Sequence, residues 1–354
     1  MTNITCFDRR LNQIPNEIWS KIAQIEQLKG RWIQGTNLSP QFLSRLKRSV
    51  LVTSTGASTR IEGANLSDEE VDKLMRGLAI EKFADRDEQE VKGYFELLQN
   101  IFDSWEDLNL NESTIKHLHQ ELLKYVEKDT LHRGKYKSKE NQFRMVDPQG
   151  RDIGILFDTT KAYLTSKEMN ELVDWTRDVL KEKKYHPLLI IGNFIVEFLN
   201  IHPFEDGNGR LSRILTNLLL LKEGYLYMPY VSHEKLIEDN KPDYYMALRT
   251  SQKTFRTKNE DLTMWLDFFL NILLTQSQMA INLITQENIE SLLSPKQLAV
   301  WQYLQEVNEA SPNDIAKNAK IARITVNQVL NKLLNMKKIE RIGEGSSIRY
   351  RKVS

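Results

Sequence analysis

Two long apolar stretches with a short polar stretch between them dominate the hydrophobic pattern of this chain. Residues 188–200 (LLIIGNFIVEFLN) and 214–221 (ILTNLLLL) are too long and too rich in leucine to be ordinary strands. The pattern therefore predicts two buried helices. The polar residues 201–213 (IHPFEDGNGRLSR) are expected to form a tight loop that leads into the second helix.

Helical periodicity and capping residues extend this prediction over most of the chain, with two exceptions. Residues 53–67 (TSTGASTRIEGANLS) are small and polar, which by composition is typical of a linker. Residues 141–157 follow the period of a β-hairpin, with its turn at 147–150 (DPQG), and such a hairpin must pack on something to be stable. Further helices are predicted at 15–29, 40–52, after a cap at Ser67, and at 88–104, 115–124, 169–183 and 262–290.

Helix 115–124 contains two histidines, His117 and His119. Residues two positions apart on a helix point in different directions. The two imidazoles are therefore poor co-ligands for a metal ion, and we predict that both lie at the protein surface.

The last sixty residues have the pattern of a smaller unit. Helices at 296–307 and 324–338, the segment 311–320 between them and a glycine-marked hairpin at 340–352 predict a winged helix. Residues 294–354 contain eleven Lys and Arg against five Asp and Glu, a surplus of six that suits nucleic-acid binding. Winged helices also bind proteins, so both partners stay open. The predicted recognition helix presents Arg323, Thr325, Asn327, Gln328 and Lys332.

Composition sets the remaining limits. A length of 354 residues with 40% hydrophobic content allows two or three units, and a net charge of +1 gives no global sign of a nucleic-acid or membrane partner. The single cysteine, Cys6, fits a reducing compartment. The N-terminus lacks the apolar core of a secretion signal, and no run is long enough to span a membrane. We expect a cytoplasmic protein with no membrane partner.

The polar loop itself has the residues of an anion site. Gly207 and Gly209 allow positive φ and close backbone approach to a ligand, and the following helix begins there. Free N–H groups and the positive end of a helix dipole favour phosphate. Arg210 and Arg213 lie three positions apart on the first turn, where both can bind phosphate oxygens. A di- or triphosphate is therefore a better fit than a single sulfate.

Two further residues of the loop add reactive chemistry. Asp206 can hold Mg²⁺, because this ion is usually bound by one or two carboxylates together with substrate phosphates. His202 is the natural general base for a hydroxyl nucleophile, since imidazole titrates near neutral pH. The sequence contains no Walker loop, so a different kind of phosphate site is predicted.

Residues 202–213 (HPFEDGNGRLSR) resemble the HPFx(D/E)GNGRxxR signature of Fic (Fido) domain proteins at every specified position. The resemblance implies that His202 deprotonates a target hydroxyl and that Asp206 holds Mg²⁺. It also implies an anion hole for the α- and β-phosphates and arginine contacts to the β- and γ-phosphates. The implied anion-hole residues are Gly207, Asn208 and Gly209, and the implied arginines are Arg210 for the β-phosphate and Arg213 for the γ-phosphate.

The implied activity is that of a protein adenylyltransferase, which transfers AMP from ATP to Ser, Thr or Tyr hydroxyls of target proteins and of itself. One alternative is a DNA-binding regulator whose Fic domain only senses a nucleotide. Another is transfer of UMP or of a different phosphate-linked group.

Residues outside the signature also resemble the family. Ser58, Glu62 and Gly63 match the (S/T)xxxE(G/N) pattern by which many Fic proteins place an inhibitory glutamate over their own active site. Tyr244 and Tyr245 match a segment whose tyrosines wall the adenine pocket, and Gln252 stands where the family often has Asn.

The resemblance implies a fold and partners as well. We expect a mostly α fold: an N-terminal helical region at 1–110, a Fic-type core with a β-hairpin flap at 111–290, and a winged helix-turn-helix domain at 291–354. The flap, residues 141–157, is expected to pair with a target protein by strand addition. Residues 158–160 (DTT) replace the Pro-Pro that usually follows the flap. DNA at 294–354 and a homodimer remain open options.

Overall fold

The computed structural model divides the chain into two compact units, residues 1–281 and 282–354. The structure describes all residues except 1–4, 36–37, 78–85, 141, 147–151, 292, 337, 344–347 and 354, and it describes only the backbone of 142–146, 152–158 and 285–291.

The first unit is mostly α-helical, as the sequence predicts. Its helices are α1 (Cys6–Arg10), α2 (Asn16–Gly35), α3 (Pro40–Ile61), α4 (Asp68–Met75), α5 (Arg86–Ser104), α6 (Glu112–Leu122), α7 (Ala162–Glu182), α8 (Pro187–Ile201), α9 (Asn208–Lys222), α10 (His233–Asp239), α11 (Lys241–Gln252) and the start of α12 (Thr263–Ser291). Short 3₁₀ turns lie at Trp105–Asp107, Glu127–Asp129 and Met228–Tyr230.

Helices α8 and α9 lie in the centre of this unit. All residues of α8 from Leu188 to Ile201 are buried, and so is most of α9. The two helices pack against each other, and α8 also packs against α7. The prediction of two buried helices is confirmed, and the polar loop between them is therefore held on both sides by the core.

Helix α3 continues nine residues beyond its predicted end at Val52, to Ile61. The linker interpretation of residues 53–67 is wrong for this part. The small residues from Ser54 to Thr59 are all buried, where they allow α3 to lie close to α5, α9 and α10. The Thr59 hydroxyl donates to the Thr55 carbonyl, so its polar group is satisfied within the helix. The small polar residues of this segment are therefore explained by close helix packing and not by a linker.

The predicted hairpin is present as two antiparallel strands, β1 (Gln142–Val146) and β2 (Asp152–Asp158). Phe143 pairs with Phe157, and Met145 pairs with Gly154. The turn predicted at 147–150 lies outside the described residues.

The second unit contains α13 (Pro295–Glu306), α14 (Pro312–Asn318), α15 (Arg323–Asn335), β3 (Ile339–Ile342) and β4 (Arg349–Lys352). The strands are antiparallel, and Ala310 forms a bridge with Tyr350. Its own core includes Trp301, Ile315 and Leu330. Helix α15 ends at Asn335, three residues before its predicted end at residue 338. The winged-helix assignment stays a prediction.

No helix within the described ranges is both long enough and apolar enough to cross a membrane.

Candidate active site

The loop between α8 and α9 is closed by its own side chains. His202 caps α8 in the left-handed region at φ 53°, and Gly207 caps α9 at φ 79°. The Asn208 side chain bridges the loop: its Oδ1 accepts from the Phe204 N–H at 2.9 Å and its Nδ2 donates to the Phe204 carbonyl at 2.8 Å. The backbone N–H groups at the start of α9 are thereby fixed around one point, which suits an anion.

The two glycines of the loop have different roles. Gly207 needs its positive φ, whereas Gly209 lies inside α9 and has none, contrary to our expectation. A Cβ atom on Gly209 would lie 2.1 Å from Glu62 Oε1. A side chain at 209 would have to displace the Glu62 carboxylate, which lies directly over the start of the helix.

His119 packs against the loop from α6, so the prediction that it lies at the surface is wrong. Its ring is fully buried and stacks on Phe204 with 3.8 Å between ring centroids. Nδ1 accepts from the Gly134 N–H at 3.0 Å, and Nε2 lies 3.0 Å from the Asp206 carbonyl oxygen. Because these partners require an acceptor and a donor, the imidazole is the neutral Nε2–H tautomer. His117 is exposed, as predicted.

Asp206 is held by two arginines. Its Oδ2 lies 2.7 Å from Arg210 Nη2 and 3.0 Å from Arg86 Nη2. Burial opposes ionisation of this carboxyl, but the charge of Arg210 and the other partners lower its pKa overall. The described residues include no group of three or more His, Cys, Asp or Glu that could hold a metal unaided. One ionised carboxylate fits Mg²⁺ that takes its other ligands from phosphate and water.

Helix α5 supplies charged partners that sequence reasoning missed. Glu90 Oε2 lies 2.7 Å from Arg210 Nη1, and Glu90 Oε1 accepts from Arg86 Nε at 2.7 Å. Arg86, Glu90, Arg210 and Asp206 form a closed ring of alternating charges. Only the fold brings residues 86 and 90 beside residue 206, so no sequence pattern indicates them.

Arg213 points away from this ring toward α3. Its Nε donates to Ser58 Oγ at 2.8 Å, and its Nη2 donates to the Ser58 carbonyl at 2.9 Å and to Glu62 Oε1 at 2.7 Å. Burial opposes the charge on this guanidinium, but Glu62 raises its pKa. Glu62 is the C-cap residue of α3, and Gly63 follows it with φ 107°. A glycine at that position lets the chain turn away immediately after the glutamate.

His202 is half-buried beside the same loop. Loss of hydration lowers the pKa of its imidazole to about 4, and the charge of Lys137 acts in the same direction. At neutral pH the side chain is therefore uncharged and able to accept a proton.

A cavity of about 210 Å³ opens next to the loop. Both amide atoms of Gln252 are buried there without a hydrogen-bond partner among the described residues. Tyr244 packs on Trp265 and Phe268 in the core, whereas the Tyr245 hydroxyl donates to the Ile61 carbonyl at 3.5 Å. The lining residues are Glu62, Leu199, His202, Glu205, Asp206, Gly207, Asn208, Gly209, Arg210, Tyr244, Tyr245, Leu248, Arg249 and Gln252.

The cavity therefore joins most of the predicted site residues into one place. Arg213 and Ser58 lie outside its lining, behind Glu62. Leu199, Leu248 and Arg249 were missed because their positions in the sequence carry no motif.

Comparison with known proteins shows which family has a domain of this kind. Residues 109–220 match the model of the Fic/DOC family. This chain contains a Fic/DOC family domain, as the signature implied. The matched range includes α6, the hairpin and the whole loop.

Two curated proteins are similar to parts of this chain. A protein adenylyltransferase Fic of Drosophila mojavensis is 32% identical over 114 residues, which are 31% of this chain and 19% of that protein. A probable protein adenylyltransferase of Aquifex aeolicus is 29% identical over 160 residues, 42% of this chain and 48% of that protein. The chain thus spans between a fifth and a half of the length of these relatives.

Solved structures share the fold. A Fic family protein from Desulfovibrio desulfuricans matches with a TM-score of 0.63 at 25% identity, over 96% of this chain and 97% of that one. A Fic domain containing signaling protein from Bacteroides thetaiotaomicron matches with a TM-score of 0.59 at 23% identity, over 74% of this chain and 97% of that one.

Proposed function

We propose that this chain is a protein adenylyltransferase, which transfers AMP from ATP to Ser, Thr or Tyr hydroxyls of a target protein and of itself. The observation that carries the proposal is the pairing of an uncharged His202 with buried phosphate-binding groups. Arg210 Nε and Arg213 Nη1 are both buried without a hydrogen-bond partner among the described residues. Such donors are costly unless a ligand satisfies them, and phosphate oxygens suit guanidinium groups.

The proposed reaction gives these groups the roles that the resemblance to Fic proteins implies. The triphosphate binds at the N-terminus of α9, with the β-phosphate on Arg210 and the γ-phosphate on Arg213. His202 removes the proton from the target hydroxyl, whose oxygen forms a bond to the α-phosphorus. The bond from that phosphorus to the bridging oxygen of the β-phosphate breaks, and pyrophosphate leaves. A nucleotide sensor would not need a base at this place, which favours catalysis over sensing.

Asp206 is the residue that would hold Mg²⁺, and the ion would neutralise charge on the phosphate oxygens. Binding there requires Oδ2 to be released from Arg86, whose side chain is 43% exposed and keeps its ion pairs with Glu90 and Asp129. Arg210 is 2% exposed and keeps its place through Glu90.

The lining of the cavity supports adenine as the base of the proposed nucleotide. The unpartnered amide of Gln252 offers one donor and one acceptor, which complements an edge of adenine. Tyr245 offers a ring surface at the rim, and Tyr244 holds that ring from the core at 5.2 Å between centroids. The assignment of Tyr244, Tyr245 and Gln252 to the adenine site belongs to this proposal.

Glu62 is proposed as the residue that keeps the enzyme inactive. It occupies Arg213, the intended partner of the γ-phosphate, and its charge faces the position of the triphosphate. Ser58 fixes the Arg213 guanidinium against α3 and so keeps the pair aligned.

The hairpin is the proposed docking site for the target protein. A two-stranded sheet of β1 and β2 leaves two unpaired strand edges, and an extended target segment can pair with one of them.

Labelled nucleotides test the activity directly. The wild type, Glu62→Gly and the double variant Glu62→Gly/His202→Ala are each incubated with ATP, UTP or GTP labelled at the α-phosphate, and with ATP labelled at the γ-phosphate. We expect protein labelling from α-labelled ATP by Glu62→Gly and none by the double variant. Labelling from UTP would indicate UMP transfer, and labelling from γ-labelled ATP would indicate phosphate transfer. Undiminished labelling by the double variant would show that His202 is not the base.

DNA binding by residues 294–354 is the second proposal. The exposed face of α15 presents Arg323, Asn327 and Gln328, side chains that can contact phosphates and base edges, on a unit with the basic surplus noted above. We expect the whole chain to bind duplex DNA with an affinity that falls steeply with salt. The variant Arg323→Ala/Gln328→Ala should bind more weakly, and the exposed control Asn335→Ala should not. Absence of salt-dependent binding by the wild type at low ionic strength would assign the unit to protein contacts instead.

A further inference from the structure

Lys137 is a buried lysine that lies outside the signature and has no role in the function proposed above. Only 3% of the surface of Lys137 is exposed to solvent. The ammonium donates to Thr159 Oγ1 at 2.9 Å and to the Ile201 carbonyl at 3.0 Å, and the backbone N–H donates to the Pro203 carbonyl at 2.8 Å. Lys137 therefore bonds to both residues that flank His202 in the sequence.

The contact at Ile201 lies at the end of a helix. Ile201 is the last residue of α8, so its carbonyl lacks a partner within the helix, and the helix dipole is negative there. A buried ammonium satisfies that carbonyl and complements the dipole. His202 follows at φ 53°, a conformation that residues other than glycine rarely adopt. Bonds on both sides of His202 fix this conformation.

The contact at Thr159 reaches a second element. Thr159 follows the last residue of β2, so the ammonium joins the base of the hairpin to the loop. Residues 158–160 are Asp-Thr-Thr. The connection depends on the hydroxyl of Thr159, which accepts the hydrogen bond from the ammonium.

The surroundings of both groups are charged. Burial is the main cause of the low pKa of His202, the Lys137 charge lowers it further, and the carboxylates of Glu62 and Asp206 raise it. Burial lowers the pKa of Lys137 to about 8, although Glu140 and Glu168 act against this. At pH 7 most Lys137 side chains are still protonated, so the positive charge is present beside the imidazole.

We propose that Lys137 is a positioning residue for His202, whose ammonium clamps the end of α8 to the base of the hairpin and keeps a positive charge next to the imidazole. These hydrogen bonds connect His202, the proposed base, to the hairpin of β1 and β2, on which the target hydroxyl would be bound. The positive charge disfavours protonation of His202, so the base stays available in mildly acidic conditions. The activity part of the proposal rests on the proposed function, whereas the electrostatic part does not.

An NMR titration tests the electrostatic part without any turnover. The His202 signal is assigned by its loss in His202→Asn. We expect Lys137→Met to raise the pKa of His202 by about 1, the effect of losing a nearby charge. Lys137→Arg keeps the charge and should leave that pKa unchanged. An unchanged pKa in a folded Lys137→Met variant would overturn the proposal.

Kinetics in the Glu62→Gly background test the clamp. Lys137→Met should lower kcat about tenfold and move the acidic limb of the pH profile to higher pH, while KM for ATP stays the same. Lys137→Arg should restore most of kcat. A change confined to KM for ATP would contradict a role at His202. If Glu62→Gly shows no transfer at any pH, the proposed function fails, and the titration still decides the electrostatic claim.

Thr159→Val serves if Lys137→Met does not fold. It removes only the hydroxyl that joins the ammonium to the hairpin. In the Glu62→Gly background we expect a threefold or greater fall in the rate of self-modification by α-labelled ATP, with no change in KM for ATP. The control Thr176→Val removes the hydroxyl of a buried threonine in α7 that donates to the Leu172 carbonyl, and it should change neither quantity. Equal rates of self-modification in both variants would overturn the link to the hairpin.

Discussion

The Glu62–Arg213 contact is a single ion pair, yet its interaction free energy is large enough for the proposed regulatory role. Arg213 is 2% exposed and Glu62 is 28% exposed at the side chain, so the pair is partly shielded from solvent. A hundredfold repression requires only about 2.7 kcal/mol, and one charge-assisted pair together with repulsion of the triphosphate is of this order.

Removing the Glu62 carboxylate should therefore activate the enzyme. We expect Glu62→Gly to increase self-modification and target AMPylation at least tenfold, measured with labelled ATP. Arg213→Ala should not have this effect, because it also removes the contact to the γ-phosphate. Glu69→Gly, at an exposed position of α4, is the matched control and should behave like the wild type. Equal activity of the wild type and Glu62→Gly would falsify autoinhibition by this residue.

At the scale of elements, the position of α3 determines where Glu62 lies. The helix carries Glu62 at its C-terminal end, and its small buried residues set its distance from α5 and α9. Ala57 is fully buried in this segment. A larger side chain there must push α3 outward or strain the core, because protein interiors have little free space.

Ala57→Leu should thus loosen the contact between Glu62 and Arg213. We expect a loss of about 1–3 kcal/mol in the free energy of unfolding, together with a rise in AMPylation. Urea denaturation and labelling with ATP measure the two effects. The control Ser49→Leu adds the same side chain at an exposed position of α3 and should change neither. A destabilised Ala57→Leu variant with wild-type activity would show that inhibition does not depend on how α3 is packed.

At the scale of the whole molecule, buried histidines make stability depend on pH. His119 and His233 are almost completely buried, and loss of hydration lowers the pKa of each from 6.5 to about 4. In the unfolded chain these imidazoles bind protons near pH 6.5, whereas in the folded chain they stay neutral until about pH 4. The unfolded state binds more protons in this range, so stability falls as the pH drops through it.

Acidification should therefore destabilise the protein well before most carboxylates titrate. Between pH 6.5 and pH 5 each of the two histidines should cost on the order of 2 kcal/mol of unfolding free energy. Urea denaturation at pH 7 and pH 5 measures the loss. The loss of unfolding free energy should be smaller in His119→Asn than in the wild type. In His117→Asn, where the replaced side chain is exposed, the loss should equal that of the wild type. The same loss in all three proteins would contradict the contribution of His119.

The sequence by itself determined the two central helices and the composition of the loop between them. Residues 188–221 have an apolar pattern interrupted once, and the interruption contains a histidine, a carboxylate, the glycines and the arginines between residues 202 and 213. Helical periodicity and a signature of adjacent residues can be recognised in the sequence without knowledge of the fold. The same reasoning failed where burial depends on distant partners, as at His119 and in the second half of α3.

Only the tertiary structure decided what holds the loop in place. Arg213 and Glu62 are 151 residues apart, His119 and Asp206 are 87 apart, and Lys137 and Ile201 are 64 apart. Arg86 and Glu90 reach the loop from α5 in the same way. Contacts of this length arise from the packing of α3, α5 and α6 around α9, and no local spacing encodes them. The candidate reactive residues therefore lie in one short segment, whereas the residues that hold them in place come from distant parts of the chain.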